Sequence, residues 1–358
     1  MSELIVKTEN HTTIRWKLLA GASAMVLASY LSTSGVAQAS GKDHPMVWIE
    51  LDGQFANQSA GEESFIPAFV LASPFDGATP IARKRPPSGW FEGGKISFEP
   101  VESDWVLSLG VRYGKSSRKG VVYQKTRHHG AYYSSFAPFF YTAYQNSRGA
   151  TSEKHLIVDF QAGMDVGLGR FGSQGTSTFS LGVRYAKFDS HNSMSIKSVT
   201  AQVPSSFYIF NGSFAAQRKF IGIGPTLSWD ASADLAGNTS AGSLTVDWGV
   251  NAAMLFGRQK LNGHYQKTQL YQPSNAYFEL PQTTVYRTVR SLSRSKGATV
   301  PNLGGFAALS LRYPSAKLSL GYRVDYFFGA LDGGIDTHKN YDRGFYGPFA
   351  SFSVGLGG

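Results

Sequence analysis

The sequence predicts an all-β protein, an antiparallel transmembrane β-barrel of about ten strands, with roughly eight to fourteen compatible with the pattern. Three observations predict it. Segment after segment alternates apolar and polar residues with a period of two. The joins between these segments alternate between short and long. The N-terminus carries the marks of export.

The alternation is clearest in a phrase written three times. LSLGVRYGK from Leu107 returns as FSLGVRYAK from Phe179 and, loosened, as LSLGYRVDY from Leu318. Trp105, Leu107, Leu109, Val111 and Tyr113 share one face of the first copy, against Ser108, Gly110 and Arg112. The second copy sets Phe179, Leu181, Val183 and Tyr185 against Ser180, Gly182 and Arg184. The third sets Leu318, Leu320, Tyr322 and Val324 against Ser319, Gly321, Arg323 and Asp325. A catalytic motif is needed once, so a repeated phrase marks a repeated structural job: a strand with lipid outside and Ser, Gly and Arg inside.

The remaining segments follow in chain order. Residues 46–55 set Val47, Ile49, Leu51 and Phe55 against Glu50, Asp52 and Gln54, and 90–99 form a weaker strand. Residues 155–168 set Leu156, Val158, Phe160 and Met164 against Asp159, Gln161 and Asp165. Residues 220–232 set Ile221, Ile223, Leu227 and Trp229 against Thr226, Ser228 and Asp230. Residues 243–257 set Leu244, Val246, Trp248 and Val250 against Thr245, Asp247 and Asn251. Residues 303–313 and 346–356 complete the set as weaker candidates.

The joins near 100–103, 170–176, 234–242 and 314–316 are short, and those near 58–88, 116–153, 189–215, 259–302 and 330–345 are long. A soluble sandwich has no reason to sort its loops by parity, whereas outer-membrane barrels pair tight periplasmic turns with long extracellular loops. Trp105, Trp229 and Trp248 fall near the expected periplasmic ends, and Tyr113, Tyr185 and Tyr326 near the outer ends, as interfacial girdles require. Trp48 falls on the inward face.

Basic Arg15 and Lys17, an apolar run from Leu18 to Leu31 and the Ala37-Gln38-Ala39 signature compose a secretory signal peptide over residues 1–39. Residues 40–358 are then one outer-membrane barrel domain of a Gram-negative exported protein. The 358 residues contain no cysteine, which removes disulfides, thiol nucleophiles and Cys-based metal sites. The formal charge of +10 calls for anionic neighbours.

FIGIGPTLSWDASADL from Phe220, NAAMLFGR from Asn251, and GYRVDYFFGALDGG with GPFASFSVGLG at the C-terminus resemble the Legionella-type major outer membrane protein family. The resemblance covers scattered segments from about residue 155 onward, and it implies a pore-forming surface β-barrel in contact with host cells, with no catalytic residue. Members of that family are richer in cysteine, so disulfide-linked assembly does not carry over to this chain.

Other motifs carry little chemistry. GLGRFG at 167–172 satisfies G-x-G-x-x-G but ends a strand and enters a turn, not the βαβ unit a dinucleotide site needs. His128 and His129 lack a second ligand pair, and LDGGID from Leu331 lacks calcium-loop spacing. Asp189, His191, His128 and Asp342 fall in or near outer loops, where a barrel hydrolase would hold its catalytic groups, but no spacing makes them meet. No enzyme activity, metal or cofactor is expected.

The inward charges are Glu50, Asp52, Arg112, Asp159, Asp165, Arg184, Asp230, Asp247, Arg323 and Asp325. In a water-filled pore they would set ion preference; in a narrow barrel they would pair and fill the lumen. About ten strands lie near the filled end of that range, so a largely plugged interior or a narrow pore for ions or small solutes is expected. The outer loops are expected to carry Arg83, Lys84, Arg85, Arg118, Lys119, Lys125, Arg127, Arg287, Arg290, Arg294 and Lys296, facing lipopolysaccharide phosphates rather than nucleic acid. Two functions fit: a porin-like or structural barrel, and an adhesin acting through basic loops.

Overall fold

A computed structural model describes residues 46–60, 88–100, 105–130, 139–165, 176–202, 206–238, 242–272, 284–333 and 340–356. The signal-peptide segment, the GLGRFG motif and Arg83–Arg85 lie outside the described residues. Ten strands are described: β1 Met46–Ala60, β2 Ser88–Glu99, β3 Trp105–Gly130, β4 Phe139–Asp165, β5 Thr176–Gln202, β6 Ser206–Asn238, β7 Gly242–Gln272, β8 Thr284–Arg312, β9 Ala316–Asp332 and β10 Asn340–Leu356. Each pairs antiparallel with its sequence neighbours, and β1 pairs with β10, so the sheet closes into the barrel the sequence predicts.

Closure leaves the outward face without a second layer to cover it. That face nevertheless carries Leu107, Leu109, Val111, Phe160, Leu181, Val183, Ile221, Ile223, Phe256, Leu309 and Leu320, all exposed. A contiguous apolar band of this size is stable only against lipid. From Trp105 to Tyr113, nine residues at about 3.3 Å each and a tilt near 40° rise roughly 23 Å, close to the height of a membrane barrel's apolar belt. Aromatic residues mark both rims: Trp105 and Tyr313 are half-exposed at the turn end, where the Trp229 indole donates to Ser177 Oγ at 2.8 Å. At the other end Phe55 packs edge-on against Trp90 and Tyr326 against Phe328.

The strands differ in length, and this corrects the loop assignment. β3 to β8 run 26 to 33 residues, whereas β1, β2, β9 and β10 run 12 to 17. Much of 116–153, 189–215 and 259–302 is therefore strand, not loop, and only residues 131–138, 203–205 and 273–283 connect these strands. The six long strands continue past the band as a wall, rising for β5 about 16 residues, or roughly 40 Å, beyond Ala186.

Beyond the band the polarity of the faces inverts. Along β5 the outward residues change from Phe179, Leu181, Val183 and Tyr185 to Lys187, Asp189, His191, Ser193 and Ser195, which face water. The buried side changes from Ser180 and Arg184 to Phe188, Met194 and Ile196. Met194, Ile196, Phe210, Phe214, Leu261 and Tyr265 form an apolar cluster on the wall's inner face. Lipid thus dictates the lower half of each strand and water the upper half.

The repeated phrase has a steric side. A Cβ on Gly182 would lie 2.0 Å from the Phe160 carbonyl oxygen and one on Gly321 2.3 Å from that of Ala307, while one on Gly110 meets nothing closer than 4.0 Å. Gly182→Ala and Gly321→Ala should each destabilise the barrel by about 1–3 kcal/mol, with Gly110→Ala near neutral. Urea midpoints read from heat-modifiable gel mobility check this, and an equal response from all three would refute it.

Candidate functional site: the ion-paired lumen

The arginines of the three repeated phrases stand on β3, β5 and β9 and turn into the lumen. Arg184, 2 % exposed, uses all three guanidinium nitrogens. Its Nε and Nη2 donate to the two Asp159 oxygens at 2.6 and 3.0 Å, and Nη1 donates to Asn251 Oδ1 at 2.8 Å and to Asn302 Oδ1. The last two partners sit on β7 and β8, two and three strands round the barrel from β5. Arg112 crosses in the other direction, donating to Asp325 of β9 at 2.6 Å while lying 3.6 Å from Asp159. Arg323 donates to Asp52 of β1 at 2.6 Å, and its guanidinium lies 4.5 Å from the centre of the Phe349 ring. Gln54 donates to the Arg323 and Gly347 carbonyls.

Three arginines thus meet three aspartates, a locally neutral lattice touching seven of the ten strands. The space left beside Asp52, Gln54, Arg112, Arg323 and Asp325 is about 10 Å³, room for about one water molecule. Directly above it Phe91, Ile157, Phe188, Phe220, Leu255, Val300, Phe327 and Phe345 close the section with an apolar layer. His155 lies in this layer, its ring 4.3 Å from both Phe91 and Phe345.

Two further inward carboxylates, Asp247 and Glu153, also meet cations. Asp247, below the lattice, accepts from Lys317 at 2.6 Å and from Thr245 and Ser310. Asp230 lies beside Gly249, where a Cβ would stand 2.2 Å from its carboxylate, and Glu50 accepts from Ser353. Above the apolar layer Arg343, 1 % exposed, lies 3.1 Å from Glu153. Asp165 ends β4 opposite Thr178, and its side chain lies outside the described residues.

The basic residues assigned to outer loops are redistributed. Arg118, Lys119, Arg287 and Arg290 are exposed but belong to β3 and β8. Lys125 and Arg127 lie on β3, with side chains outside the described residues. Arg294 belongs to β8 and is bidentate to buried Asp332, whose hydrogen bonding raises the guanidinium above its ordinary pKa. Lys296, also on β8, donates to Asn340 at 2.7 Å. Inward pairing, not loop composition, explains why those two cations are there.

Of the four residues weighed as a hydrolase rim, Asp189 and His191 lie 3.0 Å apart on the outward face of β5. Asp342 is on β10, accepting from the Gly329 amide and the Tyr326 hydroxyl, and His128 is on β3 with its side chain outside the described residues. Among the described residues no group of three metal-ligating side chains gathers.

Asp159→Ala removes the carboxylate partner of buried Arg184 and the farther of two beside Arg112, and should cost about 3–5 kcal/mol. Lys219→Ala, at the half-exposed pair with Asp189, should cost about 0–1 kcal/mol. Denaturant midpoints of the folded band compare the two, and equal costs would refute a closely paired lattice.

No protein-family model matches the chain, and no curated protein does. Among solved structures the chain is similar to the transport unit of the autotransporter AIDA-I from Escherichia coli, at 8% identity over 93% of this chain and 97% of that one, with a TM-score of 0.22. It is also similar to the deltaS2S3 mutant of the monoaromatic hydrocarbon channel TodX, at 10% identity over 87% and 90% with a TM-score of 0.21. The toluene transporter TbuX of Ralstonia pickettii matches at 7% identity over 88% and 90%, with a TM-score of 0.19.

Proposed function

We propose that the protein is a Gram-negative outer-membrane barrel, exported by cleavage after Ala39, whose lumen is closed and whose work is done by the surface it raises above the membrane. The observation that carries this is the cross-lumen lattice, with its residual space of about 10 Å³. Hydrated ions need a continuous water path, and the stacked polar and apolar layers, with room for about one water among the described residues at this level, support a closed lumen. The outward apolar band, the aromatic rims and the resemblance to a major outer membrane protein family support the location.

A gated narrow pore is the second reading. It is favoured by the composition of the seal, which among the described residues consists of side chains that could rearrange. Single-channel recording in a planar bilayer decides between them. The mature chain is expected to be silent, and so is Arg112→Ser/Arg184→Ser/Arg323→Ser, because the apolar layer above the lattice remains. Steady unitary steps from the unmodified chain would overturn the closed-barrel reading and install the porin-like one.

A further inference from the structure

The first polar residue above the apolar band is basic on each of five consecutive strands: Lys115 on β3, Lys154 on β4, Lys187 on β5, Lys219 on β6 and Arg258 on β7. Lys260 follows on β7, directly opposite Lys219. On β1 and β10 the matching outward positions are Asn57 and Asp342, so the belt is one-sided. Lys219 shares Asp189 with His191. Lys115, Lys154, Lys187, Arg258 and Lys260 are exposed and make no ion pair among the described residues.

Register aligns a second feature above the belt. Ser117, Ser152, His191, Gln217, Asn262 and Ser293 pair successively across β3 to β8, one outward step above the row containing Lys115, Lys154, Lys219 and Lys260. The first five of these, with Lys119, Ala150, Ser193, Ala215 and His264 of the next row, line a shallow concavity of about 590 Å³. A further concavity of about 470 Å³ continues upward past Arg148, Ser195, Asn211, Ser213 and Gln266. Small hydroxyl and amide side chains in a trough suit sugar hydroxyls, and cations at the lipid boundary suit phosphates.

We propose that this face docks the phosphorylated saccharide headgroups of the outer leaflet's glycolipid, with phosphates on the basic belt and sugars in the trough above. The proposal rests on the outer-membrane reading. Within it, the belt sits where the apolar band stops, at the height of a glycolipid's phosphates.

The test folds the mature chain into phosphatidylethanolamine vesicles containing core-truncated lipopolysaccharide, the same lipopolysaccharide after phosphatase treatment, or none. Glycolipid retained through detergent extraction is then measured. The unmodified chain should retain the phosphorylated form and release the treated one. Lys115→Ser/Lys154→Ser/Lys187→Ser/Arg258→Ser should lose at least about tenfold in retention, whereas Arg287→Ser/Arg290→Ser, on β8 beside the upper concavity and well above the belt, should lose far less. Unchanged retention by the quadruple variant, equal loss in the β8 control, or indifference to phosphatase overturns the proposal. If the quadruple variant does not reach the heat-modifiable fold, Lys154→Ser/Lys187→Ser makes the same comparison. Insertion into glycolipid-free vesicles is scored separately: a chain that never inserts sinks the outer-membrane reading, and one that inserts but ignores glycolipid sinks only the docking site.

Discussion

A ten-stranded barrel encloses a space that most side chains of one wall cannot cross, and arginine is among the longest side chains available to cross it. Arg112 and Arg184 reach through it toward Asp325 and toward Asn251 and Asn302, so non-adjacent strands are held by charge-assisted bonds at one level. Arginine suits the position because its planar fork engages several acceptors at once without deprotonating. The lattice also solves a desolvation problem. Each buried cation would be prohibitive alone, and neutral grouping with shared carboxylates makes the layer tolerable. Glycines two residues below Arg184 and Arg323 let neighbouring backbones approach closely under it.

The faces of the long strands obey two solvents in succession. Within the membrane band the outward side chains meet lipid, and the inward ones are polar because they can be satisfied by one another. Above it the outward residues meet water and the inward ones gather as Met194, Phe210, Phe214 and Leu261. One strand therefore carries both an inside-out and a conventional pattern, joined at Tyr185 and Lys187 on β5 and at Ile221 and Lys219 on β6. The junction itself marks the level of the interface.

This inversion explains what the sequence revealed and what it hid. Strands inside the band were legible because lipid enforces strict alternation: Leu107, Leu109 and Val111 leave no other reading. The wall was not, because its contrast is low and reversed. Ser190, Asn192, Met194 and Ile196 mix polar and apolar residues on one face, and Leu292, Arg294, Lys296 and Ala298 on β8 read as a basic loop. The common register of the three arginines was visible in the repeated phrase. Their partners were not, since Arg112 and Asp325 are 213 positions apart and meet only after the barrel closes. The basic belt was hidden for a similar reason: its members are scattered over β3 to β7, and only the sheet register brings Lys115, Lys154, Lys219 and Lys260 into one row with Lys187 and Arg258 in the row below.

The tall wall still needs support where its neighbours stop. β8 pairs with β9 only from Asn302 onward, so residues 284–301 have β7 as their one described strand partner. Support comes through a bulge. Between β9 and β10 the register jumps from Arg343 opposite Phe327 to Tyr341 opposite Leu331, so three residues of β9 face one of β10. Gly329 accommodates this with a positive φ of 64°, and Asp342 accepts its amide. The bend leaves Ala330, Leu331 and Asp332 all buried in succession, against the alternation. Asp332 then receives Arg294 of β8 on its carboxylate and Arg218 of β6 on its carbonyl. A break in strand regularity on the short side thus supplies the anchor that holds the long side, and the wall's position is fixed by side chains where no ladder reaches it.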